Sequence, residues 1–159
     1  MRVKQIMTTD VRRGNKITTV DEAVSLMKEC GIGFLPIVDE EAGRELIGVL
    51  TDRSILMRAV SAHLDLRLLP VTDVMAEEPP TIRPDDTVDR ALRVMGANHL
   101  RQLAVVNKGK QLVGVISLGD IVRSEAVAPK SIAAALRKLY APAKAASVNR
   151  SLLLKTCAA

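Results

Sequence analysis

Aromatic side chains are nearly missing from this 159-residue chain: one Phe, one Tyr and no Trp. A core built from it is aliphatic. The same lack argues against single-strand nucleic acid binding, which stacks bases on aromatic platforms. Cysteine and histidine are scarce as well, at two each. Cys30 and Cys157 lack CxxC spacing, and no His/Cys cluster has metal-ligand spacing, so neither a disulfide framework nor a metal site is indicated. His63 and His99 stand apart from any nucleophile or carboxylate pair, and no Gly-rich phosphate loop is present. Catalysis is therefore not expected, and no cofactor is implied. No apolar run is long enough to cross a bilayer and no secretory leader pattern opens the chain, so the cytoplasm is the expected compartment and no membrane partner is expected.

Acid is nearly absent from one stretch only. Residues 1–124 balance 17 basic against 17 acidic side chains, whereas 125–159 carry Lys130, Arg137, Lys138, Lys144, Arg150 and Lys155 against Glu125 alone. The net charge of +5 is thus a property of the tail. A solvated tail is the ordinary reading of such a segment; nucleic acid binding through it is the less favoured one.

What the chain does have is a repeat. Val3-Lys4-Gln5-Ile6-Met7 is echoed by Val71-Thr72-Asp73-Val74-Met75, an offset of 68 positions. The offset holds for Val20-Asp21 with Val88-Asp89, Met27 with Met95, Leu35 with Leu103 and Val38 with Val106. A hairpin two residues shorter in the second copy then brings Leu46-Ile47-Gly48-Val49-Leu50-Thr51 onto Leu112-Val113-Gly114-Val115-Ile116-Ser117. Self-similarity at this period marks a repeat architecture. The spans are 1–60 and 71–124, joined by a linker at 61–70 and followed by the basic tail 125–159. Each copy of roughly 60 residues is marginal for a core of its own, so the two should bury apolar faces together.

The order of elements is strand, helix, strand, strand, helix in each copy. Extended pieces are expected near Val11-Arg12-Arg13 and Pro80-Thr81-Ile82-Arg83. Thr19 and Glu22 have capping-box spacing, and Ala23, Val24, Met27 and Cys30 fall on one helical face, with Cys30 expected in the core. Thr87 caps the matching helix, but Arg90 replaces the Glu. Leu35–Val38 and Leu103–Val106 read as buried strands, each followed by a turn-rich hairpin. In the tail, Ile132, Leu136 and Leu139 predict an amphipathic helix over 131–140, with poor order from Pro142 onward.

The motif that closes each copy is the informative one: Gly114-Val115-Ile116-Ser117-Leu118-Gly119-Asp120 and Gly48-Val49-Leu50-Thr51-Asp52-Arg53-Ser54. Both resemble the cystathionine-beta-synthase (CBS) domain motif, Gly, two apolar residues, Ser/Thr, two residues, Asp. Two in register, with their flanking strands, cover roughly Val3 to Arg123. The resemblance implies an α/β fold of two β-α-β-β-α repeats packed sheet to sheet about a pseudo-twofold axis. It implies adenosine ligands such as AMP, ADP, ATP or S-adenosylmethionine in the clefts between repeats. It also implies a regulatory module that forms a homodimer and acts on a partner.

On that reading Asp120 accepts both ribose hydroxyls, in charge-assisted bonds worth about 1.5–3 kcal/mol. Ser117 opens a helix whose N–H groups favour phosphate. Thr81, Ile82, Leu103, Ala104 and Val105 form an aliphatic slot for the purine, and Arg101 is the phosphate candidate. Ser117 and Asp120 have capping-box spacing too, and the two roles can coexist. The second site is degenerate: Ser54 replaces Asp120 and Arg13 replaces Thr81, beside Leu35, Pro36, Ile37, Thr51 and Arg53. The competing reading is a non-catalytic interaction protein with a structural repeat pair and a nucleic-acid-seeking tail.

Overall fold

The computed structural model describes residues 1–141. The poor order expected from Pro142, and Cys157, lie outside the described residues. Two small sheets each back onto helices. One sheet has strand order β1-β2-β3-β4: β1 Gly14–Asn15, β2 Phe34–Asp39, β3 Glu45–Thr51 and β4 Ala76–Glu77. The other has β5 Thr81–Ile82, β6 Gln102–Val106 and β7 Leu112–Ser117. In both sheets a short strand lies parallel to the next, which turns back antiparallel through a hairpin. The fold is the expected α/β pair.

The first strand of the first copy is Gly14–Asn15 rather than Val11–Arg13. Pairing with β2 decides this, since Gly14 sits opposite Ile37 as Ile82 sits opposite Val105. Helix α1, Val20–Cys30, starts at the Thr19 box: Glu22 N–H donates to Thr19 Oγ1 at 3.3 Å, and Thr19 N–H to Glu22 Oε2 at 2.8 Å. Ala23 and Met27 are buried as the periodicity requires. Cys30, expected with them, is exposed. Its angle around the helix is right, but it is the last helical residue, beside the left-handed cap at Gly31. The matching helix α3, Val88–Asn98, keeps only half of the cap, Arg90 N–H to Thr87 Oγ1 at 3.2 Å. Short helices α2, Asp52–Ile55, continued by a wide turn over Leu56–Val60, and α4, Leu118–Arg123, close the two copies.

The repeats exchange their leading segments. Val3 N–H donates to Asp86 O at 2.9 Å, and Thr8 and Val115 trade N–H···O bonds at 2.9 Å each way. Val3 is wholly buried among Ile82, Leu92, Met95 and Ile116 of the second copy. Reciprocally, Val71 N–H donates to Thr18 O at 2.9 Å, and Val71, Val74 and Met75 complete the core of Ala23, Met27, Leu35 and Leu50. Each half thus lacks a piece that the other supplies, which is how two marginal units share a core.

This crossing explains the glycine of the motif. A β-carbon on Gly114 would stand 2.9 Å from both Met7 Sδ and Thr8 O; one on Gly48 would collide with Met75 Sδ and lie 3.0 Å from Ala76 O. The two sheets also meet where Leu46 N–H donates to Lys110 O and Leu112 N–H to Arg44 O, both at 3.0 Å. In the tail, α5 spans Pro129–Leu139, close to the expected 131–140, and packs on α3.

Candidate functional site

Asp120 stands on the first turn of α4, directly after β7. Its Oδ2 accepts from Ser117 N–H at 2.8 Å and from Ser117 Oγ–H at 2.6 Å, while Asp120 N–H donates to Ser117 Oγ at 3.1 Å. The capping box is therefore real. It fixes the carboxylate in one orientation, with Oδ1 turned outward. Oδ1 accepts from Arg123 Nη2 at 2.6 Å, an i,i+3 pair in which Asp120 is 18% and Arg123 74% exposed. Sequence reasoning missed Arg123, although its spacing on a helix places it one turn from Asp120.

The donors at the start of α4 are partly spent. Leu118 N–H donates to Arg101 O at 2.8 Å, and Asp120 N–H is held by Ser117. At six residues the helix offers little dipole to an anion. Arg101 is exposed, and it shares a cavity of about 520 Å³ with Gln102, Ser117, Gly119 and Arg123. Two guanidinium groups and the Ser117 hydroxyl thus lie around one opening.

The aliphatic residues divide by face. Ile82, Leu103 and Val105 pack into the second core against Met95 and Leu92, so they present backbone rather than side chain to any ligand. Ala104 is buried outside that cluster, and Thr81, exposed, is its register partner. Thr81 and Ala104 are therefore the pair whose side chains share the other face of the sheet.

The first copy is built alike but closed. Leu35 and Ile37 belong to its core, and Pro36 between them is buried. Ser54 stands where Asp120 does, but its Oγ accepts Thr51 N–H at 3.0 Å and its hydroxyl donates to Thr51 O at 2.9 Å. No outward carboxylate remains there. Arg53 is exposed and Met57 takes the place of Arg123. Arg13 reaches Glu40 Oε1 at 2.9 Å instead of lying across the strand. It also lines a polar crevice of about 350 Å³ with Thr9, Asp10, Arg44 and Gly114, which joins the leading segment of one copy to β7 of the other. Thr9, Asp10 and Arg44 were not legible as site residues, because only the exchanged segments bring them together.

No helix among the described residues is long and apolar enough to cross a membrane. Among the same residues no group of three or more His, Cys, Asp or Glu side chains is placed to hold a metal ion.

Comparison with known proteins agrees with this architecture. Bacillus subtilis YlbB is 35% identical over 124 residues, covering 78% of this chain and 82% of that protein. The crystal structure of the conserved CBS domain protein TA0289 from Thermoplasma acidophilum superposes with a TM-score of 0.76 at 29% identity, covering 87% of this chain and 75% of that one. CBSX2, crystallised in complex with AMP, superposes with a TM-score of 0.67 at 25% identity, covering 78% of this chain and 95% of that one. The family model for the CBS domain matches twice, at residues 3–61 and 71–126, each match spanning one copy of the repeat, and the chain therefore belongs to the CBS domain family.

Proposed function

We propose that this chain is a regulatory module that binds an adenosine-type ligand between its repeats and, on binding, alters its contacts with a partner. The ligand class is AMP, ADP, ATP or S-adenosylmethionine. The observation that carries the reading is the Asp120 carboxylate, locked by Ser117 so that one oxygen faces out beside Arg101 and Arg123. Ribose hydroxyls donate to that oxygen in charge-assisted bonds worth about 1.5–3 kcal/mol. Arg101 meets the phosphate. Thr81, with Ala104 and the main chain of Ile82, Leu103 and Val105, faces the purine. Support comes from the relative CBSX2, whose structure holds AMP.

The first copy is the weaker site, because Ser54 spends its hydroxyl on Thr51 and Arg13 is tied to Glu40. Arg53 remains available to an anion. The module works by binding rather than turnover, in the cytoplasm, as a homodimer. A ligand can shift its conformation only by its difference in affinity for two states.

The test is calorimetry across an adenosine panel, wild type against Asp120→Ala. Binding of at least one ligand by the wild type, lost in a variant that stays folded, is expected, with no hydrolysis of ATP. A wild type that binds none of the panel overturns the reading.

A further inference from the structure

The two helical faces of this molecule are unequal. In the second copy Leu92, Met95 and Gly96 of α3 lie beneath α5. Ala135 O comes within 3.4 Å of the point that a Gly96 β-carbon would occupy, so the bare Cα is what admits the helix. In the first copy the matching residues are Val24, Met27 and Lys28 of α1, and no described element covers them. Leu56, Met57 and Val60 extend this surface, at 58%, 58% and 46% exposure. Together with Ile32 and Ile55 they enclose an apolar groove of about 540 Å³. Large exposed apolar patches of this kind mark interaction surfaces.

Lys28 stands where Gly96 admits Ala135. A helix packed as closely as α5 is therefore excluded, and α5 of a neighbouring copy is not the occupant. The groove wall carries one cation, Lys28, and one carboxylate, Asp52. Neither forms an ion pair among the described residues; Asp52 only accepts the Arg53 N–H at 2.7 Å. A surface with an apolar floor and one charge of each sign is self-complementary, because a twofold axis sets each sign against its opposite.

We infer that this groove is the contact between two copies of the chain. The α1/α2 face of one meets the α1/α2 face of the other, with Lys28 of one copy against Asp52 of the second. The α3 face is closed by the chain's own α5, so pairing runs through the first copy of the repeat alone and stops at two. The inference rests on the self-association proposed above and specifies its surface; it is independent of the Asp120 site.

Sedimentation equilibrium on the full chain tests it. The wild type is expected as a dimer. Leu56→Glu, at an exposed position, should weaken the dimer about tenfold or more while thermal melting of the monomer stays intact. Lys28→Glu and Asp52→Lys should each weaken it, and the double reversal should restore it. AMP binding by Leu56→Glu should persist if the nucleotide reading is right. A dimer indifferent to Leu56→Glu and to both charge reversals overturns the inference and leaves self-association standing. A monomeric wild type overturns both.

Discussion

Arg123 holds the outward end of Asp120. Its Nη2 lies 2.6 Å from Oδ1, the oxygen that Ser117 leaves free. A ribose must share or displace this guanidinium. Arg123 is 74% exposed, so solvent screens the pair and its strength is small, about 0.2–1 kcal/mol. Arg123→Gln should therefore bind unphosphorylated adenosine tighter, by no more than about fivefold. Ligands with phosphate should gain less or lose, since the same change removes a cation from the Arg101 opening. Calorimetry with adenosine and AMP side by side reads the difference. Equal changes for both would mean that Arg123 meets neither.

Asp120→Ala separates the two roles of one carboxylate. Loss of the box with Ser117 should cost about 1 kcal/mol of stability. Loss of the ribose acceptor should abolish nucleotide binding outright. Ser54→Ala in the first copy should show the stability cost without a matching loss of binding. Chemical denaturation and calorimetry on the same two variants check both statements.

Gly48→Ala and Gly114→Ala test the exchanged leaders. The added methyl meets main-chain oxygen, Ala76 O at 3.0 Å or Thr8 O at 2.9 Å, in addition to the thioether of Met75 or Met7. A flexible thioether can move, but a paired strand moves only by giving up hydrogen bonds. Each substitution should cost about 1–3 kcal/mol. Hydrogen exchange should then rise at Thr8 and Val115 in Gly114→Ala, whose amides bond each other's carbonyls across the crossing. Unchanged protection at both amides would mean that the leader accommodates the methyl.

The repeat, the strand order and the caps were legible because each is a local pattern. Thr19 with Glu22, and Ser117 with Asp120, are boxes three residues apart, and such spacing survives any tertiary context. Cys30 was not legible for a different reason. Helical periodicity reports angle around an axis, not how far along it the core extends, and Cys30 lies at the last residue. Val11–Arg13 failed as a strand because two-residue strands are set by their neighbour's register, here Gly14 opposite Ile37. The pairing of Thr8 with Val115 left no trace at all, since it joins segments far apart in sequence. Of the purine slot, the residues were identified as apolar strands, but alternation sends Leu103, Val105 and Ile82 inward and leaves Thr81 and Ala104 on the other face.

Several exposed carboxylates set the acid limb of stability. Lys16 donates to Asp39 and holds its carboxyl below the ordinary value of 3.8. The Thr19 main-chain N–H, then its hydroxyl, holds Glu22 below 4.5. Lys4 does the same for Asp85, and Arg67 for Asp65. A carboxyl that is more acidic in the folded chain contributes full stability above its unfolded value. That contribution fades as pH falls through the folded value. Lys16 runs the other way: its hydrogen bond to Asp39 raises it above 10.5, so its contribution is complete below 10.5 and is lost as pH rises through the folded value. Between 4.5 and 10.5 these groups leave the melting temperature flat, and it should drop on either side. Lys16→Met should make the acid drop shallower, because Asp39 then titrates nearer its unfolded value. Melting curves of wild type and variant across this range provide the check. A decline that begins well inside the flat window, in the histidine range, would move the control of stability from these ion pairs to His63 or His99.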